Sequence, residues 1–264
     1  MNIIVCIKQV PDTNNVKIDQ KTGTLIREGV PTIMNHDDKH ALIEAVKIKN
    51  KTGGKVTVLS MGPPQAEVAL REALALGADE AILLCDRAFA GSDTWATANA
   101  IGAAIKSIGN YDLLLFGRQA IDGDTAQVGP QTAEFLDVPQ ITYAQKIEVI
   151  DKKVKVERQM EEGYEIIESN LPCLITCMSE INETEYPTLN GIREAYRNKE
   201  IKVLSAEDVK ADKSTIGLLS SPTSVKKSFT PPAKGGGQIL KGQSKELANK
   251  IVEILKDKEL IGAF

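Results

Sequence analysis

The sequence predicts an α/β fold, a Rossmann-like parallel sheet with an antiparallel extension and an extended C-terminal arm. Over residues 2–136, short apolar segments alternate with segments of helical periodicity, which is typical of a parallel sheet with helices on both faces. From residue 146 the chain changes to short strands joined by two-residue turns, and residues 220–237 are rich in Ser, Pro, Thr, Lys and Gly. We therefore predict a domain of residues 1–219, with its antiparallel extension at about 146–180, followed by an arm and helix over residues 220–264.

Continuous apolar runs predict the parallel strands. The first covers residues 2–8, because an uninterrupted β-branched run is typical of a strand that is buried on both faces. A small hairpin of residues 16–19 and 24–27 is expected to follow it. Further strands are predicted at residues 55–61, 80–85 and 112–116.

Capping residues and prolines predict the helices between these strands. One helix begins after Asn35, a favourable N-cap, and ends at Gly53, and another covers residues 94–108. The helix that contains Pro130 cannot begin much before Ala126, because proline is tolerated only in the first turn of a helix. In the helix after Pro64, the side chains expected to face the core are those of Val68, Leu70, Ala73, Leu74 and Leu76.

The antiparallel extension is predicted from alternating polar and apolar residues with turns at 151–152 and 162–163. Its strands are expected at residues 146–150, 153–158, 164–169 and 171–178. A final helix over residues 244–258 carries one apolar stripe of Leu247, Ile251, Ile254 and Leu255. An amphipathic helix behind an extended arm needs a surface elsewhere on which to pack.

The loop after the fourth parallel strand has the features of a phosphate site. Cys6, Met61 and Gly117 fall at the carboxyl ends of parallel strands, where ligands of such sheets bind. In residues 117–130, three glycines would let the backbone approach a ligand, and Thr125, Gln127 and the helix start can bind phosphate oxygens. An ordinary turn with a helix N-cap at residues 122–124 is the alternative, and the spacing alone does not decide between them. The helix start after Asn35 is a second candidate for contact with phosphate or sugar.

Composition excludes several classes of function. The formal net charge of −4 argues against nucleic-acid binding, which needs a clustered basic surface. No apolar run approaches the roughly 20 residues of a membrane span, and the N-terminus has no basic region or cleavage site, so we expect a cytoplasmic protein. Neither a Gly-x-Gly-x-x-Gly nor a P-loop motif occurs, which argues against an ordinary NAD dehydrogenase or a P-loop ATPase.

Cysteines and histidines do not predict a metal site or a disulfide. Cys173 and Cys177 lie four residues apart on one predicted strand, hence about 13 Å at ~3.3 Å per residue, so they cannot share a metal or a disulfide. We expect them, with Cys6 and Cys85, to be reduced. His36 and His40 have helical spacing, but no Glu occupies the position of a zinc-protease base.

The run of residues 117–130, Gly-Arg-Gln-Ala-Ile-Asp-Gly-Asp-Thr-Ala-Gln-Val-Gly-Pro, resembles the nucleotide-binding signature of the β subunit of electron transfer flavoproteins (ETF), and the similarity extends along the whole chain. The form with Gly123 and Thr125 is similar to the electron-bifurcating branch, whose β subunit binds FAD where the mitochondrial-type branch holds AMP. The resemblance implies a parallel sheet like that of adenine nucleotide alpha hydrolases. Asn35 is retained from the family's Asn-Pro segment, and His36 replaces its proline.

The resemblance also implies which residues bind the cofactor, largely through backbone groups and with the Thr125 hydroxyl on phosphate. They are Cys6, Asn35, His36, Asp37, Asp38, Met61, Gly117, Arg118, Gln119, Ala120, Ile121, Asp122, Gly123, Asp124, Thr125, Ala126, Gln127 and Val128.

Residues 185–197 match the family's recognition loop, whose leucine docks into a partner dehydrogenase. The matching partner-binding residues are Tyr186, Leu189 and Ile192, and Leu189 corresponds to the anchor. From the residues alone, a loop tucked onto its own domain is an equal alternative. The residues from Ser221 to Phe229 are similar to the family's C-terminal arm, which packs against the alpha subunit.

The function implied by the resemblance is electron transfer. Such a chain pairs with an ETF alpha subunit that carries a second FAD. It passes electrons between NADH, ferredoxin and a FAD-dependent dehydrogenase of the acyl-CoA or hydroxy-acid type, by flavin-based electron bifurcation or confurcation. No catalytic side chain is expected, because the flavin does the redox chemistry. The alternatives are a non-bifurcating β subunit with structural AMP and, in another class, a stand-alone adenine-nucleotide-binding enzyme or sensor.

Overall fold

The computed structural model describes residues 1–12, 31–226 and 235–262, in two compact units, Met1–Lys227 and Ser228–Phe264. The hairpin predicted at residues 16–19 and 24–27 lies outside the described residues. The strands are β1 (Asn2–Cys6), β2 (Gln9–Pro11), β3 (Thr32–Met34), β4 (Lys55–Met61), β5 (Glu80–Leu84), β6 (Leu113–Gly117), β7 (Gln140–Ile150), β8 (Lys153–Met160), β9 (Gly163–Asn170), β10 (Cys173–Cys177) and β11 (Ile201–Leu204). The helices are α1 (His36–Thr52), α2 (Glu67–Ala75), α3 (Thr94–Ile108), α4 (Val128–Leu136), α5 (Leu189–Arg197) and α6 (Ser244–Asp257).

One large sheet organises the first unit, in the order β11-β5-β4-β1-β6-β10-β7-β8-β9 among the described strands. Strands from β11 to β7 are parallel, and β7, β8 and β9 form an antiparallel meander. From β1 the chain proceeds outward to β4 and β5, then returns to place β6 on the other side of β1. The topological switch point, where ligands of such sheets bind, therefore lies between β1 and β6.

Helices cover both faces of the parallel sheet, as predicted. Ile3 and Val5 of β1 belong to one apolar core, with buried residues of α1 and α2. Ile4 and Cys6 belong to a second core, with buried residues of α3 and α4. Because neighbouring residues of a strand point to opposite faces, this division shows that β1 is buried on both sides.

The prediction of an antiparallel strand at residues 171–178 was wrong. β10 lies between β6 and β7 and pairs with both in parallel. All five of its residues are buried, so it has the continuous apolar character of a parallel strand. β7 begins at Gln140, six residues before the predicted strand, and its first half pairs with β10 while its second half pairs with β8.

Four further features differ from the sequence prediction. β11, at the edge of the sheet beside β5, and the small antiparallel sheet of β2 and β3 were not predicted. Val68, predicted to turn inward, is 59% exposed, because it lies off the buried stripe of Ala69, Leu70, Ala73 and Leu74. The predicted recognition loop over residues 185–197 is helical from Leu189, where α5 begins.

The second unit contains α6, which agrees with the helix predicted over residues 244–258. Its apolar stripe is only partly covered, with Ile251 48% exposed and Val252 42% exposed. No helix within the described residues is both long enough and apolar enough to cross a membrane.

Candidate functional site

A cavity of about 970 Å³ opens at the carboxyl ends of β1, β4, β5 and β6. Its volume is at the upper end of the roughly 300–1,000 Å³ that is usual for ligand sites. Cys6, Met61 and Gly117, which the sequence places at three strand ends, all line it. The cavity therefore lies at the switch point of the sheet.

Most of the sequence-predicted cofactor residues come together in this cavity. Those that line it are Cys6, Asp38, Met61, Gly117, Arg118, Gln119, Ala120, Gly123, Asp124, Thr125, Ala126, Gln127 and Val128. Those that do not line it are Asn35, His36, Asp37, Ile121 and Asp122.

Asn35 supports the signature loop, residues 117–130, without lining the cavity. Its side chain is fully buried, its Nδ2 donates to Gln119 O at 2.8 Å, and its Oδ1 accepts from Ile121 N at 3.1 Å. The expected side-chain cap of α1 by Asn35 is absent. This residue therefore fixes the path of the loop and makes no direct contact with the cavity.

Asp38 joins the two strands at the switch point. Its carboxylate accepts from Lys8 N, just beyond β1, at 2.7 Å and from Gly117 N, at the end of β6, at 3.1 Å. Burial raises the pKa of Asp38 to about 7, although the hydrogen bonds from Lys8, Asn35 and Gly117 act to lower it. The carboxylate thus holds two cavity-lining segments in a fixed relation.

The three glycines of the signature loop serve different purposes. A Cβ on Gly117 would contact the Asp38 carboxylate and lie 2.6 Å from Asp38 N, and one on Gly129 would lie 2.7 Å from Thr176 Cγ2. Packing within the chain therefore requires both glycines, whatever the ligand. Of these three glycines, only Gly123 has no atom within 4 Å of the position that a Cβ would occupy, so only there does the loop leave open space.

Two ion pairs connect the signature loop to neighbouring segments. Lys8 Nζ lies 2.6 Å from Asp122 Oδ1, and Arg118 Nε lies 3.4 Å from Asp37 Oδ2. Burial raises the pKa of Asp37, while the charge of Arg118 acts to lower it. The Arg118 Nε is buried and faces the Asp37 carboxylate, while the residue itself lines the cavity and brings a positive charge to it.

The start of α4 faces the cavity without a side-chain cap. The helix begins at Val128, as Pro130 predicts, and its N-cap is Gln127. The ordinary turn considered as an alternative is present at residues 121–123, but none of residues 122–124 caps the helix. Gln127 Oε1 accepts instead from Thr94 Oγ1 at 2.8 Å. Asp124 and Ala126 adopt positive φ angles of 50° and 53°, which are strained for residues with a side chain. This turn presents the first N–H groups of α4 to a ligand.

Residues 86–93, the loop that follows β5, form a wall of the cavity that the sequence analysis did not include in the site. They include Asp86, Ser92 and Asp93, and Thr94 at the start of α3 continues the wall. The available signal was the one applied to the other loops, a polar segment directly after a parallel strand.

The predicted partner-binding residues lie on a separate, exposed surface. Tyr186 is 91% exposed, Leu189 88% and Ile192 39%, so these three side chains are not tucked onto their own domain, although the helix that follows Thr188 packs on it. Thr188 Oγ1 caps α5 by accepting from Gly191 N at 3.0 Å. A Cβ on Gly191 would contact Ala75 O, so α5 packs closely on α2.

Arg71 of α2 binds the C-terminal end of α5. Its Nη1 donates to Ala195 O and to Lys199 O, both at 2.6 Å, at the C-terminal end of the helix. Because backbone carbonyls at a helix end need partners, these bonds stabilise the end of α5. The exposed apolar side chains therefore stand on a rigid support.

The cysteines and histidines lie apart from one another in the fold. All four cysteines are free thiols, and Cys6, Cys173 and Cys177 are buried. His40 Nδ1 lies 2.9 Å from Asn182 Oδ1, and His36 is exposed at the start of α1. Within the described ranges, no group of three or more metal-ligating side chains occurs.

Comparison with known proteins identifies the family. The electron transfer flavoprotein domain matches residues 22–209. The chain is 58% identical to electron transfer flavoprotein subunit beta of Thermoanaerobacterium thermosaccharolyticum over 261 residues, which covers 99% of this chain and 100% of that protein. It is 54% identical to the caffeyl-CoA reductase-Etf complex subunit CarD of Acetobacterium woodii and 48% identical to the acryloyl-CoA reductase electron transfer subunit gamma of Anaerotignum propionicum, with 99% of this chain and 100% of each relative covered. The chain therefore belongs to the electron transfer flavoprotein family, among its beta subunits.

Proposed function

We propose that this chain binds FAD in the cavity between β1 and β6. With an alpha subunit, it would carry electrons between NADH, ferredoxin and a FAD-dependent dehydrogenase by flavin-based bifurcation or confurcation. The observation that carries the proposal is a cavity of about 970 Å³ at the switch point, lined by the signature loop. The names of the caffeyl-CoA and acryloyl-CoA reductase relatives support a dehydrogenase partner of the acyl-CoA type.

The residues of the cavity fit a cofactor with a diphosphate. The uncapped start of α4 offers backbone N–H groups, and the guanidinium of Arg118, which lines the cavity, offers a positive charge. The exposed hydroxyl of Thr125 stands between them along the loop, and Gly123 leaves room for the larger of the two candidate nucleotides. These are the groups that bind phosphate in proteins.

When bound, FAD supplies hydride and one-electron chemistry, and the chain supplies binding and orientation. Arg118 and the start of α4 would hold the diphosphate, while Asn35 and Asp38 keep the loops that carry them in place. Tyr186, Leu189 and Ile192 would receive the dehydrogenase, and α6 would pack on the alpha subunit. No side chain of the cavity needs to act as a nucleophile.

The flavin content of the purified αβ complex tests the proposal. We expect two FAD per αβ pair, and reduction by NADH that proceeds further when ferredoxin is present. Arg118→Gln should weaken FAD binding about tenfold, since it removes a positive charge from the cavity wall, whereas Arg158→Gln, on β8 and outside the cavity lining, should not.

Each alternative gives a different result in the same experiment. One FAD per pair, with AMP released on denaturation, would favour a non-bifurcating subunit with structural AMP. ATP hydrolysis by a chain that retains no flavin would favour a stand-alone adenine-nucleotide enzyme.

A further inference from the structure

A segment late in the chain closes over the loop that follows β5. Residues 217–223, which we call the clasp, lie against residues 86–93, which we call the third crossover loop. Gly217 N donates to Ser92 Oγ at 3.0 Å, and Leu218 N donates to Ala90 O at 3.2 Å. Residues more than a hundred positions apart are thus bonded at the cavity wall.

Asp93 is the centre of this contact. One carboxylate oxygen accepts from Thr223 N at 2.9 Å and from Thr223 Oγ1 at 2.8 Å, and the other accepts from Ala96 N at 3.0 Å and caps α3. Asp93 N donates to Ser221 Oγ at 2.9 Å. One residue therefore holds both the clasp and the start of a helix.

The charge on Asp93 is favoured by its surroundings. Burial acts to raise the pKa of Asp93, but the hydrogen bonds from Ala96, Thr223 and Trp95 outweigh it and hold the pKa below its usual value. An ionised acceptor forms stronger hydrogen bonds than a neutral one. The contact is therefore strongest with Asp93 charged.

Close packing leaves little slack between the clasp and the loop. A Cβ on Gly91 would lie 3.0 Å from Leu218 Cβ, and one on Gly217 would contact Ala88 O. Gly217 also has a φ of +76°, which favours glycine. A shift of the clasp must therefore displace the loop.

The loop held by the clasp is a wall of the cavity. Ser92, Asp93 and Thr94 line it, and Thr94 Oγ1 donates to Gln127 Oε1 at the start of α4. The clasp is thus connected, through Asp93 and α3, to the loop proposed to hold phosphate. It ends shortly before Lys227, the last residue of the first compact unit.

We propose that Asp93 is a positioning residue of the cofactor cavity, which sets the third crossover loop for nucleotide binding by holding the clasp. This inference rests on the proposed function only in taking the ligand to be a nucleotide. Since the clasp and the nucleotide share one loop, each stabilises the bound state of the other by the same factor. The chain that leads into the C-terminal unit is then part of the cofactor site.

Nucleotide affinity of the αβ complex tests the proposal, with FAD and AMP as probes. Asp93→Asn keeps an oxygen for Ala96 N, and Asn is as good an N-cap as Asp, but the variant loses the charged acceptor for Thr223. We expect both nucleotides to bind roughly tenfold more weakly. Thr223→Val should act in the same direction with a smaller effect, and the double variant should lose less than the two effects added together.

Asp212→Asn is the matched control. Asp212 accepts from Ser214 N at 2.9 Å in a local turn and does not line the cavity, so nucleotide affinity should be unchanged. Since Asp93→Asn also changes the start of α3, Thr223→Val serves as the independent variant if the first does not fold.

Hydrogen exchange gives a readout that a merely structural contact would not move. Saturation with AMP or FAD should slow exchange of the amides of Gly217, Leu218 and Thr223 in the wild-type complex, and Asp93→Asn should abolish this effect. Unchanged affinity in both variants, or exchange that ignores the nucleotide, would overturn the positioning role while the proposed function stands. A wild-type complex that binds neither nucleotide would overturn the proposed function, and this proposal with it.

Discussion

Two opposing demands act on the carboxylate of Asp38. Hydrogen bonds from Lys8 N and Gly117 N favour its ionised form, whereas its burial, with 7% of the residue exposed, favours the neutral form. Burial prevails and raises the pKa to about 7. Between about pH 4 and pH 7 the folded chain therefore retains a proton that the unfolded chain has lost. Since the folded state binds more protons there, the contribution of Asp38 to stability falls as the pH rises through this window.

Asp38→Asn should remove this pH dependence. The free energy of unfolding of the wild type relative to the variant should decrease from pH 5 to pH 8, by at most about 3 kcal/mol. Urea denaturation at both pH values measures the difference. Asp208→Asn is the control, because hydrogen bonds from Ser205 lower the pKa of Asp208, so its contribution is lost only at a pH below the ordinary carboxyl range and should be the same at pH 5 and pH 8. A difference between wild type and Asp38→Asn that does not depend on pH would contradict the assignment.

At this scale the sequence predicts residue types better than their roles. The sequence placed Gly117 and Asp38 in the site, and both line the cavity. Their mutual contact, which excludes a side chain at Gly117, joins residues 79 positions apart and has no local signal. Asn35 was expected to cap α1, but its side chain bonds to Gln119 and Ile121 instead, because that loop folds back over it.

Helix α5 is the element at which we propose that the partner docks. Its support is rigid, through Arg71 and the close approach of Gly191 to α2, while Leu189 is 88% exposed. We predict that Leu189→Ala lowers the rate of electron transfer to the dehydrogenase about tenfold, as truncation of an apolar anchor does, with the flavin content unchanged. The control is Ile150→Ala, which shortens an exposed side chain at the end of β7. Loss of flavin from the Leu189 variant, or an equal effect of the control, would contradict docking at α5.

The elements show where patterns suffice and where they do not. α1 and β4 follow from local caps and apolar runs, and the structure confirms them. β10 was assigned to the meander because consecutive strands usually pair, yet Cys173–Cys177 inserts between β6 and β7. Its unbroken apolar run was a signal for a central parallel strand. β11 was missed because only Leu204 of its four residues is buried, so an edge strand gives little pattern.

At the scale of the whole molecule, the position of the cavity was predictable, but the contact between the clasp and the cavity wall was not. Alternating strands and helices place a ligand beyond the carboxyl ends of the strands, and the cavity opens there. The clasp instead depends on side-chain bonds between Asp93 and Thr223 across 130 positions, within a segment whose composition suggested only an extended arm. Such pairing is decided by tertiary packing, which composition does not encode.

The exposed stripe of α6 implies that the chain is completed by another protein. Ile251 is 48% exposed and Val252 42% exposed, although both lie on the apolar side of an amphipathic helix. Apolar surface buried in an interface stabilises it by roughly 25 cal/mol per Å², so a charge placed on this stripe should weaken association. We predict that Ile251→Asp raises the dissociation constant of the αβ pair at least about tenfold, measured by analytical ultracentrifugation of the full chain with its alpha subunit. Asn249→Asp adds the same single negative charge at a neighbouring exposed position and should leave association nearly unchanged. Equal weakening by both variants would indicate a general electrostatic effect, and an intact pair in both would show that α6 does not bind the alpha subunit through this stripe.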